Sequence, residues 1–239
     1  MNKAKKNFDE FTWQTRVMPV LVASVPLFFA AVAKGFSTLA WTEAGLMVCI
    51  TVVVLSLLYR LTRNMGKKCE RKITDRLGAM PSVILLRYSD STIGIVSKQR
   101  YHERINKVYG LNLPLNISDE RPEDDAQYDA AIRSLKNRAN QMRDTEFRVY
   151  QELKEYHFFR NLYGIKPIAF SVYLVLAIRE ICLIPNFNIK NLFINPVPNY
   201  VSFLIFIVGI LLTALVTNKG VEERSFSYAN ALIESCERI

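Results

Sequence analysis

The sequence predicts an all-α membrane protein: four transmembrane helices with a mainly helical cytoplasmic insert between the second and the third. Three observations predict it. Four apolar runs stand in two pairs, Val17–Ala33 with Ala44–Tyr59 and Pro167–Pro185 with Tyr200–Thr217. A hydrocarbon core needs roughly 17–25 apolar residues per helix, and each run meets or approaches that length, the second and third with help from their flanks. Lys and Arg crowd before the first run, between Arg60 and Lys166, and after the last, while the two short hairpin loops hold only Lys34 and Lys190. Basic residues stay on the cytoplasmic side. Both termini and residues 61–166 are therefore expected inside the cell, on a bacterial inner membrane. The average composition hides this layout: half the residues are hydrophobic, 22% are charged, and the mean hydropathy is only +0.10.

The expected domains are a helix pair over residues 1–60 (spans at about 17–34 and 39–60), an insert over 61–166, a second pair over 167–218 (spans at about 167–185 and 199–218), and a cytoplasmic helix over 219–239. The first run is long, and nothing like a cleavage site sets off a mature domain, so a signal peptide is not expected. Glu43 lies near one end of the second span, where the interface hydrates it. Arg60, Arg63, Lys67, Lys68, Arg71 and Lys72 follow as a basic helix suited to anionic lipid headgroups, ending near Gly78 and Pro81.

Within the insert, Ser82–Tyr88 reads as a strand or a packed connection. Asp90 is placed to cap a helix over about 92–109 that ends at Gly110. Residues 111–125 read as a loop with a solvated acidic cluster (Asp119, Glu120, Glu123, Asp124, Asp125). Tyr128, Ile132, Leu135, Ala139, Met142, Val149, Leu153 and Tyr156 then recur in steps that predict one long helix with an apolar seam, interrupted only by Glu146. That seam either packs on the other insert helices or meets its copy in another subunit.

Residues 157–166 are aromatic and basic, as at a membrane–water boundary. Gly164 and Pro167 predict a helix break there, so Arg160, Asn161, Gly164, Lys166 and Pro167 form a candidate gating hinge. Arg179 and Glu180 interrupt the third span. They sit at the outer interface if the helix ends near Ile178. If it runs to Leu183 they lie within the bilayer and need a partner or water. Ser202 and Thr213, with Gly209, give the fourth span polar or small positions for close packing or a lined pore.

Catalytic signatures are missing: no phosphate loop, no nucleophile elbow, no zinc-protease helix. No enzyme, cofactor or metal site is expected. Cys49, Cys69, Cys182 and Cys236 form no close pair and read as reduced structural thiols. The insert does offer polyanion chemistry. Arg87, Lys98, Arg100, Arg104 and Lys107, with Tyr88, Tyr101 and Tyr109 interleaved, form one basic–aromatic cluster, and Arg133, Lys136, Arg138, Arg143 and Arg148 a second. Cations meet phosphates and rings stack on bases, which suits single-stranded nucleic acid. Cytoplasmic loops are also basic for topology alone.

The segments LLRYSDSTIGIVSKQRYH at 85–102 and YHFFRNLYGIKP at 156–167, the latter just before a span, resemble a family of small four-span bacterial proteins, the Hailong protein A type of membrane effector. That family is associated with antiphage defence operons that also encode a nucleotidyltransferase. The resemblance covers most of the chain in layout, and only these two motifs are specific; carried onto this chain, the motif positions include Arg87, Lys98, Arg100, Tyr101 and His102, which it makes candidate ligand residues. It implies a homo-oligomeric ion channel whose cytoplasmic part binds single-stranded DNA oligomers made by the partner nucleotidyltransferase. Bound DNA would hold the channel shut, and its loss would open it. Two other readings stay open: a membrane anchor for a cytoplasmic partner, and a membrane-disrupting effector activated by a nucleotide.

Overall fold

The computed structural model describes residues 10–35, 61–183 and 198–238, and among them every regular element is helical. The second expected span, with Glu43 and Cys49, lies outside the described residues. The chain divides into two compact units. Unit 1 comprises Met1–Cys69 and His157–Asn218; unit 2 comprises Glu70–Tyr156 and Lys219–Ile239. This division departs from the expected domains at two places. Residues 61–69 and 157–166 go with unit 1, and the C-terminal segment joins the core of unit 2.

In chain order, α1 covers 10–35, with a π-helical turn at Trp13–Val17 before the α-helical Met18–Gly35. α2 covers 61–77, α3 is Pro81–Leu86, α4 is Ile95–Tyr109, and α5 is Asp125–Gln141. α6 is Phe147–Leu183, α7 is Pro198–Leu215, and α8 is Asn218–Glu234, closed by a 3₁₀ turn at Ser235–Arg238.

Unit 2 is a helical unit with an apolar interior. α3 is a helix, neither a strand nor a bare connection: Pro81 at its first turn lacks only an N–H that would go unused there. Gly78 and Gly110, at φ 78° and 65°, follow α2 and α4. Only glycine adopts that left-handed backbone without a steric penalty, so both helices stop there. Asp90 Oδ1 accepts the Thr92 N–H at 2.9 Å, forming a turn ahead of α4, which itself starts three residues later with Gly94 as its cap. Leu85, Leu86, Ile105, Tyr128, Ile132, Leu135, Val149, Leu232 and Ile233 close into one buried cluster. Val221 is also buried, so α8 contributes interior residues along its length.

The long helix expected over 128–156 is two helices. α5 ends at Gln141, residues 143–145 turn, and α6 begins at Phe147. Thr145 and Glu146 donate their N–H groups to Met142 O at 3.1 and 2.8 Å, which satisfies the end of α5 locally. The seam residues Tyr128, Ile132, Leu135 and Val149 all belong to the core of unit 2, which is the first of the two packings the seam allowed.

The helix break expected at Gly164 and Pro167 does not occur. α6 runs through both to Leu183, past the point where Arg179 and Glu180 would have marked a helix end. Gly164 is instead a close-approach position. A Cβ there would stand 2.6 Å from Gly66 N and 2.8 Å from Met65 C, so α2 and α6 meet backbone to backbone.

Unit 1 packs the other way round. The buried positions of α6 in this unit include Ala169, Tyr173, Ala177 and Glu180, and those of α7 are Ser202, Phe206 and Gly209. Many of its exposed positions are large and apolar: Val175 at 65%, Ile178, Val208, Leu211 and Leu215 at 76%. Among the described residues no single helix is long and apolar enough to cross a membrane alone. Val201–Leu215 and Asn218–Arg238, bent by 46°, meet the length and composition requirement only as a pair.

Candidate functional site

Two of the basic segments singled out in the sequence, on α4 and at the end of α5, are drawn together by the C-terminal turn of unit 2. Arg100 pairs with the Glu237 carboxylate, and Arg104 donates to Glu237 O. Arg138 donates to Ser235 O at 3.3 Å and to Arg238 O at 2.8 Å. Arg148 pairs with Glu234 at 2.7 Å. The turn that gathers these guanidinium groups is held by Leu232, Ile233 and Cys236, all inside the core, and burial pushes the Cys236 thiol up to about 12.

Beneath this face lies a buried carboxylate. Glu146 is fully enclosed; its Oε1 accepts from Arg138 Nη1 at 3.2 Å and its Oε2 from Arg238 Nε at 3.1 Å. The one residue that interrupts the apolar seam is therefore the counterion for two arginines, as a buried charge requires. Arg143 lies over the Tyr150 ring at 5.6 Å.

The other predicted ligand residues are placed elsewhere. Arg87 forms a fork with Asp125, with Nε 2.8 Å from Oδ1, and that carboxylate holds the guanidinium above its usual range. Lys98 is only 1% exposed; its ammonium donates to Arg87 O and Asp90 O, and burial lowers its pKa. His102 is fully buried, with Nδ1 2.6 Å from Pro114 O and Nε2 3.1 Å from Leu86 O. Its ring meets Tyr88 edge-on at 5.2 Å and Tyr128 at a tilt at 5.6 Å. Tyr101 is also in the core. Arg133 is an exposed partner of Asp129, and Lys136 faces Glu70, Tyr156 and Tyr228 in a small enclosed pocket. Of the nine, Arg100, Arg104 and Arg138 are brought together, while Lys98, Tyr101 and His102 are interior groups.

The acidic loop has definite partners. Asp125 takes Arg87, Glu120 accepts from the Tyr128 hydroxyl at 2.7 Å and the Tyr88 N–H at 2.9 Å, and Asp124 accepts the Arg121 N–H at 2.7 Å. Within 70–156 and 219–239 the Lys and Arg residues are matched in number by Asp and Glu. The whole net charge of +9 therefore resides in the sequence of unit 1.

In unit 1, Asn161 Nδ2 donates to Thr15 O, inside the π-helical turn of α1, at 2.7 Å, and the neighbouring Arg160 is buried. Lys166 Nζ donates to Val216 O at 2.8 Å, beyond the last turn of α7. Arg179 Nη1 stands 3.2 Å from the Glu180 carboxylate, which is buried while the arginine is exposed. Ser202 is buried, and Thr213 turns its hydroxyl back onto Ile210 O at 2.7 Å. Among the described residues, no group of three or more His, Cys, Asp or Glu side chains could hold a metal. Comparison of the chain with protein-family models, curated proteins and solved structures finds no match.

Proposed function

We propose that this chain is an integral membrane protein whose unit 1 lies in the bilayer and whose unit 2 is an aqueous regulatory module. Copies assemble into an ion-conducting effector switched through unit 2. The observation that carries this reading is the inverted packing of unit 1. On α6 from Ala169 onward and on α7, alanine, tyrosine, glutamate, serine, phenylalanine and glycine face inward, while most outward positions are valine, isoleucine or leucine. In water this arrangement wastes the burial of every outward side chain, at about 25 cal/mol per Å². In lipid it is the expected one, because small residues let helices approach and polar ones stay inside.

The switching ligand is a polyanion, with a single-stranded DNA oligomer as the form the family resemblance implies. Arg100, Arg104 and Arg148 are its contacts. Arg100 and Arg148 are more than half exposed and pair with the partly exposed carboxylates of Glu237 and Glu234, and such surface pairs contribute only about 0–1 kcal/mol each. A string of phosphates can therefore displace the carboxylates. Lys98, Tyr101 and His102 support this face from within and do not touch the ligand.

The test is ion flux from liposomes containing the purified protein, with and without DNA oligomers. Arg100→Ala with Arg104→Ala is expected to weaken oligomer binding at several salt concentrations, and Glu234→Gln with Glu237→Gln to strengthen it. Flux that never appears, with or without oligomer, would leave the anchor reading instead.

A further inference from the structure

An apolar cavity of about 150 Å³ lies inside unit 1 between α1, α6 and α7. Val22 and Pro26 line it from α1, Ala169 from α6, and Gly209 and Leu212 from α7. Small residues create the space: a Cβ on Gly209 would already stand 3.0 Å from the Tyr173 ring and 3.2 Å from Pro26. An apolar cavity of about this volume stays dry and accepts a benzene-sized molecule. One charged side chain lines it, and that is Lys166. Its ammonium donates to Val216 O, with a longer contact to Ala214 O at 3.5 Å, and it lies 5.8 Å from the Tyr163 ring. An ammonium has three donors, so one remains for a further acceptor.

We propose that this cavity is a binding site for an anionic phospholipid, with a segment of acyl chain in the apolar space and the phosphate on Lys166. This inference rests on the membrane reading of unit 1. Three features select the ligand. The walls take hydrocarbon and offer little to a free phosphate. Among the described lining residues the single charge is positive, and no carboxylate is present to hold a choline or ethanolamine head. Lys166 follows the aromatic segment 157–163, where a membrane–water boundary places phosphates.

Full-length protein is reconstituted into nanodiscs with equal phosphatidylglycerol and phosphatidylcholine of the same chains, and retained lipid is counted by native mass spectrometry. The expected result is preferential retention of phosphatidylglycerol by about fivefold, the effect of one basic residue near anionic lipid. Lys166→Gln, which removes the charge, is expected to lose the preference, and Lys166→Arg to keep it. Val22→Trp, a change at the exposed rim, is expected to fill the space and reduce retention of both lipids. Equal retention of the two lipids by the wild type, or variants that retain lipid as the wild type does, overturns the site while leaving the membrane reading intact. Flotation with vesicles separates the two failures: protein that stays in solution without detergent or vesicles overturns both.

Discussion

Unit 1 and unit 2 use the same helical spacing to opposite ends. In unit 2, Leu85, Leu86, Ile132, Leu135 and Leu232 are inside, and the arginines of α4, α5 and α6 are on or near the surface among carboxylates. In unit 1, Ala169, Tyr173, Ala177 and Glu180 recur along α6 at steps of four, four and three, and all are inside, with leucine, valine and isoleucine outside. Burial follows one helix face in both cases. What reverses is which chemistry occupies that face. The periodicity therefore identifies a helix, while the polarity of the buried stripe is what differs between the two units. The charge follows the same division, since unit 2 is neutral overall and unit 1 carries the entire excess.

The comparison breaks most easily at matched leucines. Leu135→Ala in the core of unit 2 is expected to cost about 2–5 kcal/mol, as transfer plus cavity. Leu211→Ala, at a side chain 61% exposed in unit 1, is expected to stay within about 0.5 kcal/mol. Thermal unfolding of the full chain in detergent measures both. Equal losses would mean that Leu211 is buried against something as firmly as Leu135. The charge version tests the solvent directly. Leu211→Lys is expected to impair membrane insertion by about 2.5–3.5 kcal/mol if the residue lies at the bilayer centre, read as the inserted fraction in membrane vesicles. Val96→Lys, at a site 79% exposed in unit 2, is expected to change neither insertion nor stability.

A smaller effect is expected where α2 meets α6. Gly164→Ala places a methyl group against the backbone of Met65 and Gly66, and backbone does not yield as a flexible side chain does. The helices must separate, at about 1–3 kcal/mol, with the Asn161 bond to Thr15 O stretched in the same movement. Gly94→Ala, where a Cβ has nothing within 4 Å, is the control. A Gly164→Ala variant as stable as wild type would restore the flexible-hinge role that the sequence suggested.

The sequence made much of this legible, and its failures have physical causes. The ends of α2 and α4 were readable because Gly78 and Gly110 adopt a backbone that other residues avoid. The gap between α5 and α6 was not, because the short turn keeps Met142 and Val149 seven residues apart and the heptad spacing continues across it. Pro167 reads as a helix breaker, yet it removes only one N–H from the ladder of a 37-residue helix that continues on both sides of it. The arginine face was half legible. Arg100 and Arg104 were visible, but their counterions lie at the far end of the chain, 137 residues from Arg100 in the case of Glu237. Counting arginines within the insert therefore gave a basic surface where the folded unit is balanced. Lys98 and His102 were misjudged for a related reason: the amphipathic turn of α4 that carries Arg100 outward carries them in.

The smallest expected effect sharpens the comparison from the side of unit 2, by asking how dry its interior is. His102 sits among Tyr88, Tyr128, Lys98 and Glu120, with a backbone carbonyl near each ring nitrogen. Burial lowers its pKa below the usual 6.5, and the two carbonyls oppose that shift without reversing it. The folded state therefore refuses a proton that the unfolded chain accepts. Above about pH 6.5 both forms are neutral and stability is independent of this group. As the pH falls below that value, the unfolded state alone gains protons and stability declines, by at most about 1.4 kcal/mol per pH unit. The melting temperature of the full chain is expected to drop between about pH 7 and pH 5.5, before most carboxylates titrate. His102→Asn, compared with wild type over the same range, is expected to flatten the slope. A wild-type melting temperature that rises on acidification would mean that the protonated ring, donating to Pro114 O and Leu86 O together, outweighs its desolvation. The core of unit 2 would then hold a buried charge, and the contrast between the two interiors would be one of degree.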